Sequence, residues 1–145
     1  MSSRFALFSL FMFFLLSACK GQKPDGTPTV GGDRDKHGCI GSAGYQWSEL
    51  RGECIRLFEA GIRLDPQAKE LNQTTSAFVV FKSMDEDAKA ELFLPGEKKS
   101  MLLPRVGKED AGTWKNKKYT LKQWRGMYSL ENSQKKLLYQ GAGGS

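Results

Sequence analysis

Three cysteines and a single histidine are the residues of this chain best suited to chemistry. His37 lies in the stretch Asp33–Cys39, DRDKHGC, which places two carboxylates, an imidazole and a thiol close together along the chain. Such groups could bind a metal ion or form a nucleophile and its base. Two cations interleave with them, however, and the stretch lies at the edge of any fold, where little excludes water. We therefore predict no metal, no cofactor, no catalytic residue and no enzyme activity.

Cys19 follows a segment with the three parts of an export signal. Arg4 supplies a cation near the N-terminus, residues 5–16 form an apolar run, and the small pair Ser17–Ala18 precedes the cysteine. The run is too short to span about 30 Å of hydrocarbon as a permanent helix. Residues 16–19, LSAC, resemble the bacterial lipobox. The resemblance implies cleavage before Cys19 and a diacylglycerol on its sulfur.

The lipobox resemblance has consequences for location and for the other thiols. Two or more acyl chains hold a protein almost irreversibly on a bilayer, so we expect the chain in the bacterial envelope, facing the periplasm. Lys20 follows the cysteine in place of aspartate, which favours the outer membrane. With Cys19 acylated, Cys39 and Cys54 are an even pair in an oxidising compartment. We predict a disulfide between them, worth roughly 3 kcal/mol in the chain-entropy model.

Composition divides the chain into four parts. Residues 1–18 are the predicted signal peptide. Residues 19–36 are a lipidated flexible tether, because the stretch after Cys19, KGQKPDGTPTVGGDRDK, has no aromatic residue and one large aliphatic one. Residues 37–140 are predicted to form a single β-rich domain, and the small residues 141–145 a disordered tail. The chain has 22 Lys and Arg against 16 Asp and Glu, which suits anionic headgroups, and we expect no nucleic-acid partner.

The segment around the disulfide, residues 38–64, fits either a short helix or a hairpin. Apolar residues recur at helical spacings, and Gly61 could end such a helix. Arg51–Gly52 would interrupt that helix and could instead form the turn of a disulfide-linked hairpin, which we slightly favour. Asp65–Pro66 then offers the N-cap and first residue of a short helical turn over residues 67–71.

From Thr74 onward the pattern is that of β-strands. Runs of β-branched and aromatic residues are separated by turn-forming residues. Strands are predicted over residues 76–81, 89–94, 100–103, 118–122, 127–131 and 136–140. Strands this short favour a mainly β fold, an antiparallel meander that curls into a sandwich or a small barrel.

Residues 114–128 interleave aromatic side chains with cations. This composition suits glycans, acidic polymers or headgroups through stacking and charge. An ordinary strand would instead point Tyr119 and Leu121 inward and leave Lys118 and Lys122 in water. The candidate partner surface consists of Trp114, Lys117, Lys118, Trp124 and Arg125.

Two groups of proteins are similar to parts of this chain. The block DKHGCIGSAGYQWSELRGECIRLFEAGIRL, with the later ELFLPG and YTLKQWRG, resembles small uncharacterised bacterial lipoproteins, which implies no activity. The strands AFVVFK and YTLKQWRGMYSL through KKLLYQG are similar in layout to the membrane-bound lysozyme inhibitors, which are lipid-anchored small β-barrels. Those inhibitors use a Ser-Gly-rich loop followed by tyrosine. Residues 41–45, GSAGY, have that composition but precede the strands, so no inhibitory residue is assigned.

The expected function is non-enzymatic binding at the envelope, with a protein or glycan partner and membrane attachment through Cys19. One alternative is inhibition of lysozyme or another cell-wall hydrolase. The other is a small-ligand carrier, which requires an apolar cavity of about 300 Å³ or more.

The lipobox resemblance predicts that protein made in its native host begins at Cys19 and carries acyl chains. Cys19→Ser should leave the membrane fraction, because the thioether has no sulfur to form on. Mass spectrometry of the mature N-terminus, with and without reduction, measures the lipid and the disulfide together. Retention of residues 1–18, or unchanged fractionation of Cys19→Ser, would refute the prediction.

Overall fold

The computed structural model describes residues 33–83, 85–107 and 112–144. The predicted signal peptide, Cys19 and most of the predicted tether lie outside these residues. Residues 31–145 form one compact unit, and all the described strands and both remaining cysteines belong to it. This unit therefore has its own core and its own covalent crosslink.

The described residues contain ten strands, one short helix and a 3-10 turn at Gly41–Ala43. In chain order they are β1 Tyr45–Ser48, β2 Glu53–Arg56, α1 Leu57–Ala60, β3 Ile62–Pro66, β4 Ala77–Phe81, β5 Lys89–Phe93, β6 Met101–Pro104, β7 Thr113–Lys115, β8 Tyr119–Trp124, β9 Met127–Asn132 and β10 Leu137–Ala142.

Eight of the strands form one antiparallel sheet in the order β6-β5-β4-β3-β10-β9-β8-β7. An isolated bridge between Arg105 and Trp114 joins the end of β6 to β7, so the two edges of the sheet nearly meet. The predicted mainly β, antiparallel and barrel-like fold is confirmed. Because neighbouring strands run in opposite directions, alternate strands begin and end at the same end of this large sheet.

The inner face of the large sheet is packed with aliphatic side chains. Strand alternation sends every second residue inward, as in β4, where Ala77 and Val79 are fully buried. Tyr119 and Leu121 also face the core and Lys118 and Lys122 face water, as the alternation predicts. The largest inward side chains with almost no exposure are Leu64, Leu92, Leu103, Leu121 and Leu130.

The hairpin of β1 and β2 covers the outer face of β4 and β5. Ile55 of the hairpin packs on Val80 and Phe93, which point outward from the sheet. Beside them Glu91 of β5 is fully buried, and its carboxylate accepts four hydrogen bonds. A carboxylate has about four lone-pair sites, and these four donors occupy them. Hydrogen bonds from the protein therefore replace those that the buried Glu91 carboxylate would make with water.

Three of those donors come from the hairpin, at the end of β1 and the start of the turn. The Ser48 hydroxyl donates to one carboxylate oxygen, the Glu49 N–H donates to the other at 2.8 Å, and the Leu50 N–H completes the set at 3.3 Å. The fourth donor is the Ser100 hydroxyl, from the loop before β6. The hairpin is thus held to the large sheet by a charged hydrogen-bonded centre as well as by apolar packing.

The disulfide and the hairpin are both as predicted. Cys39 and Cys54 are bonded, which ties the segment before β1 to β2. The turn between the strands spans residues 49–52, and Gly52 takes the positive φ of 68° that it requires. The helical alternative is realised only in the single turn of α1, which ends at Gly61.

The structure corrects three predictions of local structure. Asp65–Pro66 does not start a helix: it ends β3, where Pro66 pairs with Tyr139, and residues 67–71 form a turn. Strands β3 and β7 were not predicted at all. The fold also extends beyond the predicted bounds of 37–140, since Arg34 bridges Ile40 at one end and β10 runs to Ala142 at the other.

Glu91→Gln should lower the free energy of unfolding by about 2–4 kcal/mol, because the amide group would turn a donor toward N–H and hydroxyl donors. Urea unfolding of residues 31–145 measures the change. Glu97→Gln is the matched control, because Glu97 is exposed. Equal stability of the two variants would show that the buried carboxylate does not hold the hairpin.

Candidate functional site

A cavity of about 590 Å³ lies at the end of the large sheet where β4 and β8 end and β9 begins. Ile62 and Val79 line it on the apolar side, and both belong to the inner face of the sheet. The leucine core fills the inner face beyond them. One end of the sheet is therefore solidly packed, and the other holds a ligand-sized space.

Three aromatic rings form one wall of the cavity. Phe81 lies 5.0 Å from Trp114 and 5.9 Å from Tyr128, and the Trp114 and Tyr128 rings lie 6.3 Å apart, measured between ring centroids. Trp114 is only 2% exposed, and its indole N–H donates to the backbone oxygen of Asp87 at 2.6 Å. This hydrogen bond fixes the indole plane, so the wall is preformed.

Glycine is needed beside this wall. A Cβ on Gly112 would lie 2.3 Å from the Trp114 ring, and one on Gly143 would lie 2.9 Å from the Tyr128 ring. The Gly143 N–H donates to Gly126 at 2.7 Å, which continues the pairing beyond β10. Gly143 and Gly144 line the cavity, so part of the stretch predicted as a disordered tail forms its wall.

Charged groups meet the cavity opposite the apolar side chains. Arg105 pairs with the carboxylate of Asp87, and its guanidinium carbon lies 5.6 Å from the centre of the Trp114 ring. Arg51 donates from Nε to the backbone oxygen of Phe81 at 2.9 Å, which brings the hairpin turn to the cavity. Among the described residues, two guanidinium groups and one carboxylate thus line the cavity.

Burial raises the pKa of the Tyr128 phenol above its ordinary value of 10.0, and the negative charge of Asp87 raises it further. The phenol therefore stays neutral over the whole physiological range. It offers the cavity an uncharged O–H that can donate or accept a hydrogen bond.

The structure divides the candidate partner surface that composition suggested. Trp114 is not on a surface, because it points inward and is buried in the cavity wall. Trp124 and Arg125 lie exposed at the turn between β8 and β9, at the cavity end. Lys117 and Lys118 are exposed in the turn between β7 and β8, at the opposite end of β8. The five residues therefore do not form one patch.

The remaining candidates lie elsewhere. His37 stacks on Trp47 with ring centroids 4.1 Å apart, beside a second cavity of about 350 Å³. Within the described ranges no group of His, Cys, Asp and Glu has the arrangement of a metal site. Gly41–Ala43 and Tyr45 lie before and in β1, outside the 590 Å³ cavity.

Sequence reasoning did not assign Arg51, Asp87 or Arg105 to a site, and Tyr128 was only the last residue of the aromatic and basic stretch 114–128. They come from a hairpin turn, from the segments next to β5 and β6, and from β9, and only the strand register brings them together. The acid run at residues 85–87 was interpreted as a solvated turn, yet Asp87 is half-buried in its pair with Arg105.

No helix among the described residues has the length and apolar character needed to cross a bilayer. No protein-family model matches the chain, and neither curated proteins nor solved structures give a match. The chain's own residues therefore carry the argument for function.

The pKa of Tyr128 should fall toward 10.0 in Asp87→Asn without reaching it, because burial is the larger of the two causes. The unfolded chain loses the phenolic proton first, so the free energy of unfolding should decrease as pH rises above 10.0. Ultraviolet titration measures the phenol, with Tyr128→Phe identifying its signal. An unchanged Tyr128 titration in Asp87→Asn would contradict the proposed proximity of the two groups.

Proposed function

We propose that this chain is a membrane-anchored lipoprotein of the bacterial envelope that binds a small amphipathic molecule in the 590 Å³ cavity, without catalysis. The cavity is the observation that carries the proposal. Its volume lies within the range of roughly 300–1,000 Å³ that is typical of small-molecule sites, and it combines apolar walls with a few convergent polar groups. The lipobox resemblance supports the anchor at Cys19.

The lining residues indicate the chemistry of the ligand. The partly exposed rings of Phe81 and Tyr128, backed by the buried Trp114, offer faces and edges for a flat or branched apolar body. The cavity lining contains two guanidinium groups, those of Arg51 and Arg105, and one carboxylate, that of Asp87, so its net charge is positive. Arginine binds carboxylates and phosphates through paired hydrogen bonds. An apolar body with one anionic group therefore fits best.

The packed end of the sheet limits how far such a ligand can enter. Leu64 and Leu130 are fully buried and follow Ile62 and Tyr128 as the next inward-facing residues of their strands, so they close the interior beyond the cavity. The ligand must therefore enter and leave at the end that holds Arg51 and Arg105. Its anionic group would stay near the mouth while its apolar body lies against the aromatic wall.

The proposal predicts saturable binding of anilinonaphthalene sulfonate, a flat apolar probe with one anionic group, to residues 31–145. Val79→Phe should weaken binding about tenfold or more, because the larger ring occupies the cavity. Leu102→Phe is the matched control, since Leu102 faces solvent on β6. Fluorescence titration measures affinity, and urea unfolding verifies that both variants are folded.

The anionic part of the proposal has its own variants. Arg51→Gln should weaken the sulfonate probe several-fold more than neutral N-phenylnaphthylamine, whereas Arg51→Lys should keep much of the difference. Equal binding by Val79→Phe and Leu102→Phe would refute the cavity as the binding site. Mass spectrometry of an organic extract of the protein purified from its native envelope identifies the natural ligand.

A further inference from the structure

Large apolar side chains are exposed at the end of the large sheet that holds the cavity. Trp124 is 63% exposed, Val106 44% and Met127 40%. Trp124 ends β8 and Met127 begins β9, while Val106 follows β6 and donates its N–H to Thr113 at the start of β7. All of them therefore stand at the end of the large sheet that holds the cavity. We call Val106, Trp124, Arg125 and Met127 the lip.

The turn in the lip places Arg125 in a backbone conformation that arginine disfavours. Arg125 and Gly126 have φ values of 48° and 80°, the two left-handed positions of a tight hairpin turn. Asparagine, aspartate and glycine favour the first position, and an arginine there is strained. The Arg125 guanidinium lies 5.4 Å from the centre of the exposed Trp124 ring. An asparagine would fit position 125 with less strain.

We propose that the lip docks on an anionic lipid bilayer, with Trp124 and Met127 at headgroup depth and Arg125 against the phosphates. Tryptophan prefers the membrane interface, and arginine is attracted to anionic headgroups. The basic excess of the chain, 22 Lys and Arg against 16 Asp and Glu, has the complementary sign.

Docking in this way would also orient the cavity toward the bilayer. The mouth of the cavity would face the lipids, so an amphipathic molecule could pass between bilayer and cavity without crossing water. The acyl chains proposed on Cys19 would keep the domain near a membrane, but they would not orient it. The lip supplies the orientation.

Vesicle binding by residues 31–145 tests the proposal, since this unit lacks Cys19 and so cannot be anchored by lipid. The protein should co-sediment with vesicles of phosphatidylcholine and phosphatidylglycerol and should not co-sediment with phosphatidylcholine alone. The Trp124 emission should shift to the blue on binding, with Trp124→Phe identifying its contribution.

Two lip variants and one matched control make the test specific. Met127→Ser should weaken vesicle binding about tenfold, whereas Leu137→Ser should not, because Leu137 is similarly exposed but begins β10 at the other end of the sheet. Arg125→Asn should weaken vesicle binding several-fold and yet unfold at a higher urea concentration. A loss of binding that accompanies a gain of stability cannot come from misfolding.

Several outcomes would overturn the proposal. The first is that the protein binds neutral and anionic vesicles equally well. The second is that Met127→Ser and Leu137→Ser lose the same amount of vesicle binding. The third is that the Trp124 emission does not shift when vesicles are added. Burial of Trp124 only by an envelope protein would make the lip a protein interface, which also overturns it. The cavity is tested separately, because Val79→Phe should lose the sulfonate probe and keep vesicle binding, while lip variants should do the reverse.

Discussion

The buried carboxylate of Glu91 is the contact on which the rest of the structure depends. Removing a charge from water costs several kcal/mol, and the cost is offset only when the charge is completely hydrogen-bonded. The hairpin supplies three donors and the loop before β6 supplies the fourth. Without the hairpin, the Glu91 carboxylate would lack three of its four donors. Without Glu91, the backbone N–H groups of Glu49 and Leu50 would lack their acceptor. The two parts therefore specify each other.

The distribution of side-chain size along the large sheet places the cavity at one end. Fully buried leucines such as Leu64 and Leu130 fill the inner face toward one end of the sheet. At the other end Val79 and Gly143 are small, and rigid aromatic rings span the wall without closing the space. A cavity that stays open in this way needs no conformational change before it binds, so less binding free energy is lost to ordering.

The alternation of apolar and polar residues made most of the fold predictable. Every strand predicted after Thr74 is present within two residues, because β-branched and aromatic runs separated by turn-forming residues mark the strands, and most of them have one face in the core and one in water. Strand β3 was not predicted, because Asp65–Pro66 is a sequence typical of the first residues of a helix. In the structure these residues instead pair with β10. Strand β7 was not predicted, because its three residues are too few to show the alternation of apolar and polar side chains.

The site could not be predicted in the same way. Trp114 looked like a surface residue because three lysines follow it within four residues, and only its pairing with Leu121 shows that it points inward. Arg51, Asp87 and Arg105 are distant along the chain, and their convergence depends on register and on closure of the sheet, neither of which a local pattern encodes. The lip depends on the same information, since it is defined by which strand ends coincide.

The hairpin turn also connects covalent chemistry to ligand affinity. The donors for Glu91 and the Arg51 side chain at the cavity belong to the same few residues, and the bond between Cys39 and Cys54 restrains the strands that carry them. An anion held by Arg51 must stabilise the docked hairpin by the same free energy with which docking strengthens anion binding. For the ligand proposed above, affinity would thereby depend on oxidation: a chain whose thiols had not yet paired would hold it less tightly than the disulfide-bonded chain.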